Sequence, residues 1–297
     1  MVTPSDSPNS YYARVRRLAR PFRKRLVVPA RRATWFLRPP PEVLLIGAMK
    51  AGTTSFAAAL DRHPQVQMAS RKEVSYFDMH FDKGQHWYRS HFAMRCPTAS
   101  FPLAFEATPY YRFFPDVARR AAALNPRMKL IVLLRDPTER AYSHYQHMKR
   151  TGKEPLAFLA AIEAETQRLA GEPERIASGR PAPAEFGRGG ALKNHSYLAR
   201  GQYAVQLQDW LRHFDRSQMM VLKAEKVFED AAPALRRAAT FLGIEPFRSS
   251  NFDRLNRGMA TQLEPSVKAA VAGHFTESSA WIEREFGFSW SDDYSAG

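Results

Sequence analysis

The chain is poor in cysteine. Its single one, Cys96 among 297 residues, excludes an internal disulfide and suits a reducing compartment. It also lacks any uninterrupted apolar run of about 18 residues, the length a membrane-spanning helix requires. Near the N-terminus, where a secretory leader would carry an apolar stretch, Arg14-Val15-Arg16-Arg17 and Arg23-Lys24-Arg25 interrupt it. These absences give the expectation of a cytoplasmic protein, at most peripheral to a membrane. Acids are scarce as well: 29 Asp and Glu face 44 Lys and Arg, for a net charge of +15. Residues 1–40 hold ten of those bases and one acid, a net +9, which leaves +6 for the rest. They read as a basic extension, partly disordered, able to contact an acidic polymer or membrane face. Residues 41–297 read as one folded domain. His80, His86 and His91 are spaced by six and five, which is not a metal-ligand spacing, and no metal is expected.

Alternation of strands and helices organises what is present. Pro39-Pro40-Pro41 punctuates the chain, and Val43-Leu44-Leu45-Ile46 then reads as a buried parallel strand. A glycine-bearing turn from Gly47 to Gly52 leads into a helix that begins around Phe56. Lys129–Leu134 is a second buried strand. It runs into Arg135-Asp136-Pro137-Thr138-Glu139, where Asp136 suits an N-cap, Pro137 the first helical position and Glu139 a capping box, with the helix reaching about Lys149. Residues 171–192, rich in Gly, Pro, Arg and Ala, read as a loop or insertion. Tyr203, Leu207, Trp210, Leu211 and Phe214 form an amphipathic stripe, Met219–Leu222 a third strand, and residues 231–242 a further helix. Val267, Val271 and Phe275 mark another helix, with Trp281, Ile282 and Phe286 after it. The fold class expected is α/β, a single P-loop-like domain with a central parallel sheet flanked by helices. Ligands of such sheets sit beyond the carboxyl ends of the strands, where both loops discussed next would lie.

Gly47-Ala48-Met49-Lys50-Ala51-Gly52-Thr53-Thr54-Ser55 places glycine, lysine and three hydroxyls at a strand–helix junction. Helix amides and the helix dipole favour an anion there, and Lys50 adds a positive charge. The loop is not the one that holds nucleoside triphosphates, which ends in Gly-Lys-Ser/Thr; here Lys50 precedes Gly52 and no Lys adjoins Thr53. In the second segment, Arg135 stands at a strand end and Ser143 two turns into the following helix, a pairing that suits a phosphate dianion.

The first loop resembles the 5′-phosphosulfate loop of sulfotransferases that use 3′-phosphoadenosine 5′-phosphosulfate (PAPS), close to Gly-x-x-Lys-x-Gly-Thr-Thr/Ser. The second resembles that family's Arg-Asp-Pro-x-x-Arg-x-x-Ser, with Arg135 and Ser143 in the positions that bind the 3′-phosphate. Gly201-Gln202-Tyr203 with Trp210-Leu211-Arg212-His213-Phe214 is similar to the family's segment before its third strand, and the likeness runs over roughly residues 42–290. The wording is nearest to heparan-sulfate-type and bacterial carbohydrate enzymes. The resemblance implies PAPS as donor and its bisphosphate (PAP) as product, held by Lys50, Ala51, Gly52, Thr53, Thr54, Ser55, Arg135 and Ser143, with Arg257 and Gly258 from a C-terminal basic loop. It implies a hydroxyl or amine of a saccharide or glycan-like molecule as acceptor.

A base must take the acceptor's proton. Glu73, in Arg71-Lys72-Glu73-Val74-Ser75-Tyr76-Phe77, matches the catalytic Glu-x-x-x-Phe setting of the glycan-type enzymes. Glu106, in Phe105-Glu106-Ala107-Thr108-Pro109-Tyr110, is a second candidate. Heparan-type relatives often carry Lys after that Glu, and Ala107 stands there instead. Lys50 is expected to stabilise the leaving phosphate. His63 reads as structural, and Trp87 and Tyr88 as core. Two other classes compete. A P-loop nucleotide kinase would need magnesium and the absent Gly-Lys-Ser/Thr. A nucleic-acid-binding module would draw on the basic tail, but no zinc finger, helix-turn-helix or RNA-binding aromatic signature supports it, and no nucleic-acid partner is expected.

Overall fold

The computed structural model describes residues 28–95, 102–171, 190–248, 252–253, 255 and 263–290. Most of the basic extension, Cys96, most of the 171–192 insertion, and Arg257 with Gly258 lie outside the described residues. In chain order, α1 (Val28–Ala33) precedes β1 (Val43–Gly47), α2 (Thr53–Asp61), β2 (Val66–Met68), the short α3 (Tyr76–Met79) and α4 (Gly84–Arg89), β3 (Leu103–Ala107), α5 (Val117–Leu124), β4 (Lys129–Leu134) and α6 (Pro137–Arg150). There follow α7 (Phe158–Glu163), α8 (Glu165–Leu169), α9 (Ala191–Asn194), α10 (Tyr203–Leu211), β5 (Met219–Lys223), α11 (Ala224–Glu229), α12 (Ala231–Leu242), α13 (Pro265–Ala272) and α14 (Thr276–Phe286).

The five strands form one sheet in the order β2-β3-β1-β4-β5, and every pairing is parallel. Helices cover both faces of such a sheet, so its inner strands must be apolar throughout rather than alternating. β1 obeys this with all five residues buried, and β4 from Leu130 to Leu134. The chain leaves β1 for β2 and β3 on one side, then crosses to β4 and β5 on the other. The order therefore reverses between β1 and β4, the switch point at which sheets of this kind bind their ligands.

Local sequence explains most element ends. Gly52 lies in the left-handed region at φ 81° and starts α2 at Thr53, three residues before the expected helix start, so Thr53, Thr54 and Ser55 occupy its first turn. Asp136 caps α6 by accepting the Glu139 N–H at 2.9 Å, with Pro137 behind it. The reciprocal half of the expected capping box does not form. The Asp136 N–H goes instead to Glu225 Oε1 at 2.9 Å, because β5 delivers the start of α11 beside it, and the Glu139 carboxylate turns to Arg135. In α12, Asp230 accepts from Ala232 N–H, Gly243 ends the helix at φ 74°, and Ala231, Ala234, Leu235, Ala238 and Leu242 face the core.

A polar clamp fastens the segments after α6. Glu154 has a fully buried side chain that accepts from Arg168 at 2.6 Å and Tyr197 Oη at 2.8 Å, and it meets His195 Nδ1 at 3.1 Å. Burial alone would raise the Glu154 carboxyl, but the Arg168 and Tyr197 hydrogen bonds outweigh it and hold the group at about 2. The folded value lies below the ordinary one, so this stabilisation is complete above the usual glutamate range and fades as pH falls toward about 2. Glu154→Gln is expected to lower stability by roughly 1–3 kcal/mol near neutrality. In urea unfolding followed between neutral and acid pH, the difference between variant and parent should shrink with acidification.

Candidate active site

The site at the switch point between β1 and β4 is built from a loop that only particular residues can form. Lys50 and Gly52 both have positive φ, 73° and 81°. The turn is closed by Ala48 N–H to Leu133 O at 2.5 Å and Ala51 N–H to Ala48 O at 3.1 Å. A Cβ on Gly52 would stand 2.3 Å from Phe228 Cζ, and one on Gly47 would stand 2.8 Å from Arg112 Nε. Both glycines are thus needed for space, and Gly52 for conformation as well. Thr53 and Ser55 are buried and Thr54 half-buried, while Ala51 is fully enclosed. Ser55 Oγ accepts the Leu255 N–H at 2.8 Å, which seats that C-terminal segment on the first turn of α2.

Lys50 is half-buried and has no carboxylate partner among the described residues. Burial lowers its ammonium pKa, and Arg150 and Arg135 lower it further. Arg135 reaches from the end of β4 to the Lys50 carbonyl at 3.5 Å and pairs with Glu139 at 3.3 Å, so the two sequence motifs meet in space. Tyr203 donates to the Arg135 carbonyl at 2.7 Å and fixes the turn. Ser143 lies half-buried on α6, two turns in.

Behind the loop lies a feature that sequence reasoning missed. Arg112, Arg140 and Arg200 are all buried, at 3%, 0% and 2% exposure. Arg112 packs its stem against Gly47, donates to the Arg200 carbonyl at 3.0 Å and to Gln206, and lies over the Tyr203 ring. Arg200 Nη1 contacts Met49 Sδ within the loop at 3.0 Å, and its guanidinium stacks on Tyr110. Arg140 donates to the Tyr197 carbonyl, but its Nε and Nη1 meet no acceptor among the described residues, nor does Arg112 Nε. Burial and mutual repulsion push Arg112 down to about 9 and Arg200 to about 10, so both remain charged at neutral pH. One turn beyond Arg140, His144 is fully buried. Burial and the neighbouring Arg200, Arg140 and Lys50 drive its pKa well down and keep it neutral. Glu165 lies within electrostatic reach of Arg140 and Arg200 but already accepts the Leu198 and Ala199 amides at 2.6 and 2.8 Å. The cluster keeps an excess of positive charge, two of whose members, Arg112 and Arg200, touch the loop, and an anion there would balance it.

The two candidate bases have different surroundings. Glu73 is exposed, pairs with Lys72 Nζ at 3.3 Å, and acts electrostatically on Arg200, which ties it to the loop. Glu106, at the end of β3, is fully buried and accepts from the hydroxyls of Thr108 at 2.7 Å, Tyr111 at 2.9 Å and Tyr88. Burial raises its pKa while these three donors pull it back. Between them stands Asp78, unmarked in the sequence reading. Burial, aided by repulsion from Glu106 and Glu73, pushes it up to about 7, and its Oδ2 is buried without a partner among the described residues. His63 is buried away from the loop, accepting from the Gln65 N–H at 3.2 Å and edge-on to Phe247. Trp87 and Tyr88 are buried, and no group of three or more His, Cys, Asp or Glu placed to hold a metal occurs among the described residues.

The sulfotransferase domain family matches residues 40–269. The chain belongs to the sulfotransferase family. Among its relatives, the mouse protein named bifunctional heparan sulfate N-deacetylase/N-sulfotransferase 4 is 31% identical over 212 residues, covering 69% of this chain but 22% of the mouse protein. A Dictyostelium discoideum protein named membrane-associated sulfotransferase kil1 is 27% identical, covering 80% of this chain and 64% of its own length. The crystal structure of a sulfotransferase from Alicyclobacillus acidocaldarius superposes with a TM-score of 0.62 at 25% identity, covering 85% of this chain and 98% of the other. The chain thus spans about a fifth of the mammalian relatives it matches, the portion that carries the sulfotransferase family domain in this chain.

The loop geometry makes one sulfotransferase variant decisive. Gly52→Ala should destabilise the fold by about 2 kcal/mol or more, through left-handed strain and collision with Phe228. The thermal midpoint reads this, and Gly152→Ala serves as a control: it too is left-handed, at φ 71°, but open to solvent and free of neighbours.

Proposed function

We propose that the chain moves a sulfuryl group from PAPS to a hydroxyl or amine of a saccharide-like acceptor and releases PAP. The observation that carries this reading is the buried Arg112–Arg140–Arg200 cluster behind the Lys50 loop, an excess of positive charge with unmatched donors, Arg112 packed on Gly47 and Arg200 on Met49. The α2 amides and Lys50 take the 5′-phosphate, with Ala51, Gly52, Thr53, Thr54 and Ser55 shaping and lining the cradle. Arg135 and Ser143 hold the 3′-phosphate. Arg257 and Gly258 complete that subsite. In support, Leu255, two residues before Arg257, is docked on Ser55.

In the transfer step the acceptor oxygen or nitrogen attacks sulfur in line with the departing phosphate oxygen. The new bond to sulfur forms as the sulfur–oxygen bond to phosphate breaks, and the acceptor's proton passes to Glu73. The exposed carboxylate of Glu73, held beside Arg71 and Lys72, suits a base that must meet a substrate. Lys50, its charge poorly solvated, neutralises the phosphate as it leaves. Glu106, with three hydroxyl donors, is assigned here to positioning the wall that carries Glu73 rather than to proton transfer. The saccharide class rests on the names of the heparan sulfate relatives, and Ala107 in place of the Lys found in heparan-type enzymes argues for an acceptor other than heparan itself.

Calorimetric titration with PAP against ATP–Mg²⁺ tests the donor site. Tight PAP binding with weak ATP binding is the expected result, and no preference for PAP would overturn the reading in favour of a kinase. Arg135→Ala should weaken PAP while barely changing 5′-AMP, and equal losses would remove its 3′-phosphate role. Glu73→Gln should leave PAP affinity intact yet cut turnover by roughly 10²–10⁴-fold. Undiminished turnover would disqualify Glu73. Lys50→Ala should reduce turnover by about 10²-fold or more with the fold preserved.

A further inference from the structure

Residues 29–38 form an arm that precedes β1 and is mounted on the body beside α4. Three guanidiniums fix it. Arg31 Nε donates to the Ser90 carbonyl at 2.6 Å, Arg38 Nη1 to the Phe92 carbonyl at 2.6 Å, and Arg89 Nε to the Arg38 carbonyl at 2.6 Å while lying over the Trp35 ring at 4.8 Å. The arm is closed onto the segment that follows α4 by the Arg95 N–H, which donates to the Leu37 carbonyl at 2.9 Å. That bond brings Met94 next to Leu37.

The result is an apolar tip on an ordered base. Phe36 is 63% exposed, Leu37 42% and Met94 44%, three of the seven large apolar side chains that stand out most among the described residues. Exposed apolar side chains brought close on an ordered base are a candidate interaction surface. Its surroundings are cationic. Arg32 is exposed with no carboxylate partner among the described residues, Arg38 and Arg89 donate to neutral carbonyls and, for Arg38, to the Thr34 hydroxyl, and Arg95 pairs with Glu42 at 2.5 Å. The sequence immediately upstream, residues 1–27, adds seven Lys and Arg against one Asp.

We propose that this arm is a docking surface for the face of an anionic lipid bilayer. Phe36, Leu37 and Met94 would enter the headgroup–acyl boundary and the ring of arginines would meet lipid phosphates and carboxylates. Nucleic acid fits less well, because it matches the charge but leaves the two aliphatic side chains without a purpose. The arm enters β1 at Val43 and the loop leaves it at Gly47, four residue steps or about 13 Å along the strand.

The test is co-sedimentation of the full chain with phosphatidylcholine vesicles, with and without phosphatidylserine, at low and high salt. The parent should bind only vesicles that contain phosphatidylserine, and less at high salt. The variant Phe36→Ser/Leu37→Ser/Met94→Ser should partition about tenfold more weakly, and Arg32→Glu several-fold more weakly. PAP affinity should be unchanged in both, which shows that they fold and separates this proposal from that of the donor site. No binding by the parent, or serine variants that bind as the parent does, would overturn the proposal. Binding to duplex DNA that matches or exceeds vesicle binding and ignores the serine changes would overturn it in favour of a nucleic-acid surface.

Discussion

Positive charge buried without matching negative charge is the constraint on which this structure turns. A guanidinium removed from water costs several kcal/mol unless it is paired, and Arg112, Arg140 and Arg200 are removed together. Their partial compensation by carbonyls, by the Tyr203 and Tyr110 faces and by Glu165 keeps them folded in place. Two of the three touch the turn between Gly47 and Gly52, Arg112 at Gly47 and Arg200 at Met49. Every nearby element serves this arrangement: Gly47 leaves room for the Arg112 stem, Tyr203 holds the Arg135 turn, and His144 stays neutral because a further charge would be intolerable.

Much of the scaffold could be read from residue order, for physical reasons. Buried parallel strands are continuous apolar runs, and β1, β4 and β5 announce themselves in that way. The helices after the two motifs carry strong boundary chemistry, Asp136 with Pro137 above all. β2 is three residues long and passed unnoticed because it has no periodicity to detect. The capping box at Asp136 half failed because the competing acceptor, Glu225, lies 89 positions away and enters only through the sheet.

The site divides in the same manner. Lys50, Gly52, Arg135 and Ser143 sit in contiguous motifs whose spacing signals their chemistry, and the fold brings the two motifs together. Arg112 and Arg200 sit in no such pattern, and before folding each resembles any solvated arginine. Arg140 was inside a recognised motif, yet only its complete burial distinguishes it from a surface cation. Glu73 and Glu106 looked alike as candidates, and it is the cage of Thr108, Tyr111 and Tyr88 hydroxyls that sets them apart.

Glu225 joins regions that seem unrelated. One carboxylate oxygen accepts the amide at the start of α6, and the other lies 3.3 Å from the indole nitrogen of Trp290. The position of the helix bearing Arg140 and Ser143 is therefore mechanically indexed to an aromatic ring far down the chain. Engineering near that ring, whether a fusion junction or an affinity tag, would act as a remote adjustment of where Arg140 and Ser143 sit rather than as a neutral handle.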